Sequence, residues 1–216
     1  MLFSFLKCIP PIAKEEKSFE LRRKMFHSLG IIFPFIALIF DKKLVLLSSV
    51  LATLAFVIID YNKLFLKIRV FKMNSIFFKL LRQKEMNSGE LCGLSWLLIG
   101  YTIVISSCDK YLVAIALTVL VVCDAMASLI GKNFGRISLC GKSLEGFVAY
   151  IVFGVVVLLF YYHFLKDVNV NIIYLFVSLI VSAFAELTAK RINIDDNFAI
   201  PVSFCFTYKI LLLLCS

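Results

Sequence analysis

Long apolar stretches separated by short polar turns recur along almost the whole chain. A helix that crosses the roughly 30 Å hydrocarbon core of a bilayer needs about 20 mainly apolar residues. Five stretches approach that length and two are shorter: Leu44–Ile59, Tyr111–Ile130, Phe147–Leu165, Val170–Thr188 and Phe198–Cys215, with Leu29–Phe40 and Leu91–Ser107. We therefore predict an all-α fold, a polytopic membrane helix bundle of about seven transmembrane helices.

The composition supports that interpretation, because 62% of the 216 residues are hydrophobic, against roughly 45–50% in soluble domains. Most connections are too short to hold another domain, so residues 1–216 are expected to form a single integral membrane domain. Residues 61–90 are the exception, since apolar and basic side chains alternate there as in a helix that lies in the headgroup plane. Two roles for this basic interfacial segment stay open: a passive anchor held by anionic lipid, and a surface that presents substrate.

The net charge of +9 would favour nucleic acid as a partner in a soluble protein, but membrane proteins collect Lys and Arg on their cytoplasmic side. If the N-terminus is inside, only Lys42, Lys43, Lys110 and Lys166 lie in outer turns, while Lys209 lies within the last span. This asymmetry predicts a multi-pass protein of the cell inner membrane or an ER-type membrane. The N-terminus and the inner loops are expected to be cytoplasmic, with the bilayer as partner and no nucleic acid.

Ionisable side chains inside apolar spans are costly and are functional candidates by default. Asp124 lies about two turns from the inner end of the fourth span, and Glu186 lies near the inner end of the sixth. Two buried acids at one depth suit a divalent cation or a proton relay. The alternative is a structural ion pair with Lys209 as a candidate partner. His163, near the outer end of its span, is expected to be an interfacial histidine.

A strip of small residues follows Asp124 along the same predicted helix. Ser128, Gly131 and Gly135 occupy the positions i+4, i+7 and i+11 from the aspartate. Small residues at a helix surface let another helix or a ligand approach the backbone closely. We therefore expect a close contact beside Asp124.

The inner loop from Gly131 to Glu145 combines three glycines with basic and hydroxyl side chains, a composition that suits an anion cradle. Its candidate residues for binding a nucleotide phosphate are Lys132, Gly135, Arg136, Lys142 and Ser143. The loop is not a Walker A motif, because that motif needs a glycine where Arg136 stands and a strand before the loop. A phosphate-binding loop of another kind stays open.

Asp196 and Asn197 stand just before the last span, in the same predicted cytoplasmic layer as Asp124, Glu145 and Glu186. Carboxylate oxygens in such a layer suit Mg²⁺, which proteins usually hold together with substrate phosphates. A solvated layer of loops would contain the same residue types, so the residues alone leave both interpretations open.

Four blocks of residues occur in order between Glu20 and Pro201. They are Glu20–Lys24 with His27, Gly30 and Pro34; Arg82, Glu85 and Gly93; Asp124–Gly131, Phe134–Gly135 and Lys142–Gly146; and Glu186 with Asp196–Asn197 and Ile200–Pro201. Together they resemble the CTP-dependent lipid kinase family of dolichol kinases, phytol and farnesol kinases and fungal-type diacylglycerol kinases, related more distantly to phosphatidate cytidylyltransferases. The chain departs from the family pattern at Cys123, usually glycine, and at Leu139–Gly141, which replaces a common Leu-Pro approach to the Lys-Ser pair.

The resemblance implies transfer of the γ-phosphoryl group of CTP to the hydroxyl of a membrane lipid alcohol such as a polyprenol or dolichol, phytol or diacylglycerol. Mg²⁺ or another divalent cation would be the cofactor. The implied catalytic residues are Asp124, Lys142 and Glu145, with Asp124 as the base. The implied metal ligands are Asp124, Glu186 and Asp196, and the further site candidates are Arg23, His27, Glu85 and Asn197.

Two other functions stay open. One is a cytidylyltransferase-like enzyme that uses CTP and releases pyrophosphate, although the long C-terminal signature of those enzymes is absent. The other is a proton- or ion-coupled transporter with Asp124 and Glu186 as its relay, although the acids gather at the inner face rather than at mid-bilayer. The identity of the lipid alcohol, the choice of CTP over ATP and the oligomeric state also stay open.

Overall fold

The computed structural model of the protein describes residues 7–8, 29–65, 91–165 and 170–215. Within these ranges the chain forms seven α-helices, which confirms the all-α prediction. They are α1 (Ile32–Ile39), α2 (Lys42–Phe65), α3 (Gly93–Ser107), α4 (Lys110–Phe134), α5 (Leu144–Phe164), α6 (Ile172–Thr188) and α7 (Asp196–Cys215). The predicted site residues Arg23, His27 and Glu85 lie outside the described residues, as does the predicted interfacial segment beyond residue 65.

Four of these helices, α2, α4, α5 and α7, are long and apolar enough to cross a membrane by length and composition, which indicates membrane association. The other three are shorter than the predicted spans. The apolar helices α3 and α6 have 15 and 17 residues, and α1 has eight. At 1.5 Å per residue, a 15-residue helix extends over only about 22 Å. The prediction was accurate in the number of helices, too long for α1, α3 and α6, and too short for α2, α4, α5 and α7.

Helix α4 is the centre of the bundle. Every residue from Leu112 to Val121 is buried, so the helix is covered on all sides. It packs against α1, α5 and α7. A helix that is apolar all round is expected at such a central position. Asp124 lies on this helix one turn beyond the fully buried stretch, and its depth in the protein follows from that placement.

The N-terminus of α3 is capped by an aspartate from another helix. Asp60 of α2 is buried, and its Oδ2 accepts hydrogen bonds from the Cys92 N–H (2.8 Å) and the Ser95 hydroxyl (2.7 Å). A helix N-terminus carries unpaired N–H groups and partial positive charge, so a carboxylate stabilises it. Asp60 was not among the residues that the sequence singled out, because it stands at the edge of an apolar stretch.

The C-terminus of α3 receives two lysines in the same way. The Lys42 ammonium at the start of α2 donates to the carbonyl of Cys108 (2.7 Å), and the Lys209 ammonium of α7 donates to the carbonyl of Ser107 (2.7 Å). Cations suit the partial negative charge at a helix C-terminus. The described contact of Lys209 is therefore with a backbone carbonyl, and the alternative that paired it with Asp124 or Glu186 was wrong.

The loop between α4 and α5 contains a short β-hairpin that the sequence did not predict. Strands β2 (Ile137–Leu139) and β3 (Lys142–Ser143) are antiparallel, and β1 (Lys7–Cys8) pairs with the other edge of β2. Cys140 and Gly141 form the turn with φ of 54° and 86°. Two consecutive positive φ values are typical of a tight hairpin turn, and the second position suits glycine. Strands of two or three residues are too short for a period-2 pattern to reveal them.

Helices α4 and α5 approach closely beside this hairpin. A Cβ on Gly135 would lie 2.8 Å from the Ser143 Cβ, and a Cβ on Gly146 would lie 2.8 Å from the Ala127 carbonyl oxygen. Real Cβ atoms do not reach such distances, so only glycine fits. The prediction of a close approach along the Gly131–Gly135 side of α4 is confirmed, and the partner is the start of α5.

Candidate active site

Three carboxylates from three helices meet at one end of the bundle. Asp124 of α4, Glu186 of α6 and Asp196 at the start of α7 each offer one oxygen, and these oxygens all lie within 4.8 Å of one another. The side chains of Asp124 and Glu186 are only 3% exposed. We call these residues the acid cluster. They are the three residues that the sequence suggested as metal ligands, and the fold brings them together.

Lys142 is the cation that contacts this cluster from the β-hairpin. Its Nζ hydrogen-bonds to Glu186 Oε1 and lies 3.3 Å from Asp196 Oδ2, while the side chain is 16% exposed. Burial lowers the pKa of Lys142. The negative charges of Asp196, Glu186 and Asp124 together raise it by more than burial lowers it, so the pKa lies above its usual range. The ammonium group is therefore charged at neutral pH, and Glu186 has Lys142 as its ion-pair partner.

The start of α5 holds Lys142 in position. The next residue, Ser143, is the N-cap of α5, and its Oγ accepts the N–H of Gly146 at 3.0 Å. Gly131 and Gly135 of α4 also lie directly against Ser143. Because the N-cap fixes the backbone on one side of Lys142 and the hairpin turn fixes it on the other, the lysine can reach only a limited part of the bundle end.

Glu145 was predicted to be catalytic, but its described contact is structural. Its Oε1 accepts the backbone N–H of Arg136 at 2.8 Å, which closes the base of the hairpin. Among the described residues, the grouping of three carboxylates does not include Glu145. Glu145 thus stabilises the loop that carries Lys142.

The other predicted phosphate-binding residues surround the hairpin. Gly135 ends α4 and donates its N–H to the Gly131 carbonyl at 3.1 Å. Lys132 lies on the last turn of α4 with a half-buried side chain, whereas Arg136 is exposed. Lys132 therefore belongs to α4, whereas Gly135 and Arg136 lie in the connection that leads to Lys142.

Asn197 ties the start of α7 to α3. Its side-chain amide donates to the Gly93 carbonyl at 3.2 Å, and its backbone N–H donates to Asp195 Oδ1 at 3.0 Å. These bonds fix the first turn of α7, which contains Asp196. Asn197, which the sequence suggested as a site residue, therefore has a positioning role in the described contacts.

A buried hydrogen bond links α5 to α6 next to the acid cluster. The hydroxyls of Tyr150 and Ser182 are 3.0 Å apart, and both side chains are fully buried. Sequence reasoning missed both, because a tyrosine or a serine within an apolar helix carries no pattern that separates it from core residues.

The sequence also missed Asp60, the cap of α3, although Asp60 carried a signal that could have been used, since it is an acid at the end of a span.

The three carboxylate oxygens of the acid cluster are suitable ligands for a divalent cation. Mg²⁺ and similar hard cations prefer carboxylate oxygens, and Mg²⁺ commonly takes one or two carboxylates together with substrate phosphates. A charged lysine at the edge of such a site is a counter-ion for phosphate oxygens. The same buried acids would also suit a proton relay. The geometry therefore favours chemistry on an anionic, phosphorylated ligand or movement of protons.

Two proteins are similar to this chain over nearly their whole length. The uncharacterized protein RP860 of Rickettsia prowazekii (strain Madrid E) is 30% identical over 200 residues, covering 91% of this chain and 96% of the relative. The uncharacterized protein MJ1137 of Methanocaldococcus jannaschii is 28% identical over 197 residues, covering 88% of this chain and 94% of the relative. No family model and no solved structure matches the chain. With that identity and coverage, the chain belongs to the same protein family as RP860 of Rickettsia prowazekii.

Proposed function

We propose that this protein is a membrane lipid kinase that transfers the γ-phosphoryl group of CTP to the hydroxyl of a lipid alcohol. The observation that carries the proposal is the convergence of Lys142 with Asp124, Glu186 and Asp196. These residues come from two of the motif blocks that resemble the CTP-dependent lipid kinases, Asp124 and Lys142 from one and Glu186 and Asp196 from the other. Phosphoryl transfer depends on positioning and on neutralising phosphate charge, and this arrangement supplies groups for both.

The proposal includes that the chain crosses the membrane several times and that the acid cluster lies on the cytoplasmic side. At the end of the bundle that holds the acid cluster, Lys132, Arg136 and Lys142 lie in or next to the connection between α4 and α5, and Lys190–Arg191 follows α6. Basic residues in loops favour the cytoplasmic side, where the nucleotide is also available. The opposite end uses Lys42 and Lys209 to cap α3, so two of its lysines have a structural explanation.

The chemistry assigns a role to each residue of the site. Asp124, Glu186 and Asp196 would hold a divalent cation, which supplies charge neutralisation to the phosphates when it is bound. Lys142 would move from the carboxylates to phosphate oxygens as the nucleotide enters. The lipid hydroxyl oxygen forms a bond to the γ-phosphorus while the bond from that phosphorus to the β–γ bridging oxygen breaks. CDP leaves, and the hydroxyl proton passes to a carboxylate, for which buried Asp124 is our candidate.

The test uses purified protein in lipid vesicles with CTP that carries the label on either the α- or the γ-phosphate. Polyprenol, phytol, farnesol and diacylglycerol are supplied in turn, with ATP in parallel reactions. A kinase moves the γ-label into the lipid fraction and leaves the α-label in CDP. Transfer of the α-label would instead establish a nucleotidyltransferase, and no transfer from either nucleotide, with proton uptake into vesicles, would establish a transporter.

A chelator and one variant complete the experiment. Removal of divalent cations should abolish transfer, and added Mg²⁺ should restore it. The Lys43→Ala variant is the matched control, because Lys43 is an exposed lysine at the opposite end of the bundle, and its activity should equal that of the wild type. Full activity in excess chelator would contradict the assignment of the acid cluster to a metal.

A further inference from the structure

The seam between α5 and α6 leads along the bundle to the candidate active site. Gly154 packs directly on Leu179, and the Tyr150 hydroxyl lies 3.0 Å from the Ser182 hydroxyl. The rings of Phe147 and Phe184 follow, with centroids 5.4 Å apart. The numbers fall on α5 as they rise on α6, so the helices are antiparallel. The next contact in this series is the ion pair of Lys142 and Glu186.

Helix α6 presents an apolar ring and a carboxylate at the same level but in opposite directions. Phe184 and Glu186 are two positions apart, which is about 200° around a helix. Phe184 is 53% exposed on the bundle surface, whereas Glu186 is buried. The exposed apolar residues of α6 form a stripe that ends at Phe184: Ile173, Val177, Ile180, Val181 and Phe184. The stripe therefore stops where the charged site begins.

A second aromatic contact also lies near the site, but that seam is closed by backbone contact. Trp96 of α3 and Phe198 of α7 have ring centroids 5.6 Å apart. Beside them a Cβ on Gly100 would lie 3.2 Å from the Phe198 Cα, and Asn197 is hydrogen-bonded to Gly93. The α5–α6 seam at the level of the site is bridged by two ring side chains, which can change rotamer. At this level the α5–α6 seam therefore has side chains that can move aside for a chain molecule.

From these contacts we infer that the α5–α6 seam binds the hydrocarbon chain of the lipid alcohol, with Phe147 and Phe184 around the carbons next to the hydroxyl. This inference rests on the proposed function. A lipid that reacts at the acid cluster must bring its hydroxyl to Lys142 and Glu186 while its chain stays in an apolar environment, because moving methylene groups into water is unfavourable. The seam satisfies both requirements, since its exposed side is apolar and its inner side ends at the ion pair.

A binding measurement tests the inference without depending on catalysis. Phe184→Trp places an indole at the level of the seam where the hydrocarbon chain is proposed to bind. Phe160→Trp places one at the opposite end of α5, where exposed Phe160 and Phe164 form a similar pair with ring centroids 4.5 Å apart. Both variants also carry Trp96 → Phe, because Trp96 is the native tryptophan. The probe is farnesol brominated along its chain, compared with a brominated phosphatidylcholine at an equal mole fraction of bromine.

We expect the brominated alcohol to quench the Phe184→Trp indole about threefold more strongly than the brominated phospholipid does, and unbrominated farnesol should reverse the excess. The Phe160→Trp indole should be quenched equally by both probes. Equal quenching by the two probes at both positions would overturn the inference. If the wild type transfers no phosphoryl group while the selective quenching is present, the proposed kinase function fails and the lipid-binding seam stands.

Kinetics give a second readout that a general loss of fold would not reproduce. Phe184→Ala should raise the KM for a long-chain alcohol about tenfold with little change in kcat, because it removes contact made equally in the ground and transition states. The KM for CTP should not change. Phe160→Ala is the matched control and should keep the wild-type values. A fall in kcat with an unchanged alcohol KM would overturn the assignment of Phe184 to chain binding.

Discussion

The ends of α3 and the acid cluster both contain charged side chains within an apolar bundle, but they use them differently. At α3, one carboxylate meets the N-terminus and two ammonium groups meet the C-terminal carbonyls, so each charge faces a helix end of opposite sign. In the acid cluster, three carboxylates lie close together, and the Lys142 ammonium contacts two of them, Glu186 and Asp196. Like charges in a shared buried site oppose one another. The first arrangement pairs each charge with a helix end of opposite sign, and the second places like charges beside one another.

This difference gives a way to tell structural charges from candidate functional charges in an apolar bundle. An ionisable residue within a membrane helix is a functional candidate by default, yet Asp60, Lys42 and Lys209 act as helix caps. What distinguishes the acid cluster is that its carboxylates come from three helices and face each other. Substitutions in the two regions should therefore have opposite effects on activity and stability.

The largest expected effect is on activity at Lys142. Lys142→Ala should reduce phosphoryl transfer about 10³-fold or more, because it removes the cation that faces Glu186 and Asp196, and comparable charge-stabilising residues in phosphoryl transfer have effects of that size. The measurement is transfer of the γ-label from CTP to lipid, with Lys43→Ala as control. Retention of a tenth of the wild-type activity would remove Lys142 from the mechanism.

The next effect distinguishes activity from stability at Asp124. Asp124→Asn should lower transfer about 10²- to 10³-fold, a loss typical for a general base or a ligand of the reacting group. Its thermal unfolding midpoint in detergent should stay close to that of the wild type, because Asn keeps the shape of Asp and removes one of three neighbouring negative charges. A variant with lower stability and undiminished transfer would show that Asp124 is a structural charge like Asp60.

The opposite pattern is expected at Asp60. Asp60→Ala should destabilise the fold by about 1–3 kcal/mol, because the buried N–H of Cys92 and the hydroxyl of Ser95 lose their acceptor. The folded fraction should keep the wild-type kcat. Unfolding midpoints and activity at a temperature well below the midpoint give the two values. A loss of kcat without a loss of stability would place Asp60 with the acid cluster.

The smallest effect is expected at Lys209. Lys209→Met keeps the apolar part of the side chain and removes one hydrogen bond to the Ser107 carbonyl, at a cost of about 0.5–1.5 kcal/mol. Lys42 still caps the neighbouring carbonyl, which limits the loss. The unfolding midpoint should fall slightly and transfer should not change. A large fall in transfer would instead show that Lys209 contributes to activity and not only to the stability of the fold.

The amino-acid sequence by itself determined the helices, and it placed Asp124, Glu186 and Asp196 in one predicted layer that also included Glu145. Hydropathy is a local property, so an apolar stretch predicts a helix wherever it occurs, and each of the seven predicted stretches overlaps one of the seven helices. Asp124, Glu186 and Asp196 could be grouped because alternating spans bring their ends to one face. The same local argument overestimated α1, α3 and α6, because side chains alone do not show where a short helix ends.

Only the tertiary structure decided which charges meet. The pairing of Lys142 with Glu186 joins residues 44 positions apart, and the bond of Lys209 to Ser107 joins residues 102 positions apart. The cap of α3 by Asp60, the hairpin around Cys140–Gly141 and the bond of Glu145 to the Arg136 N–H likewise depend on the rotation and register of packed helices. These quantities are set by side-chain packing between distant segments, for which the hydrophobic pattern of any one segment carries no information.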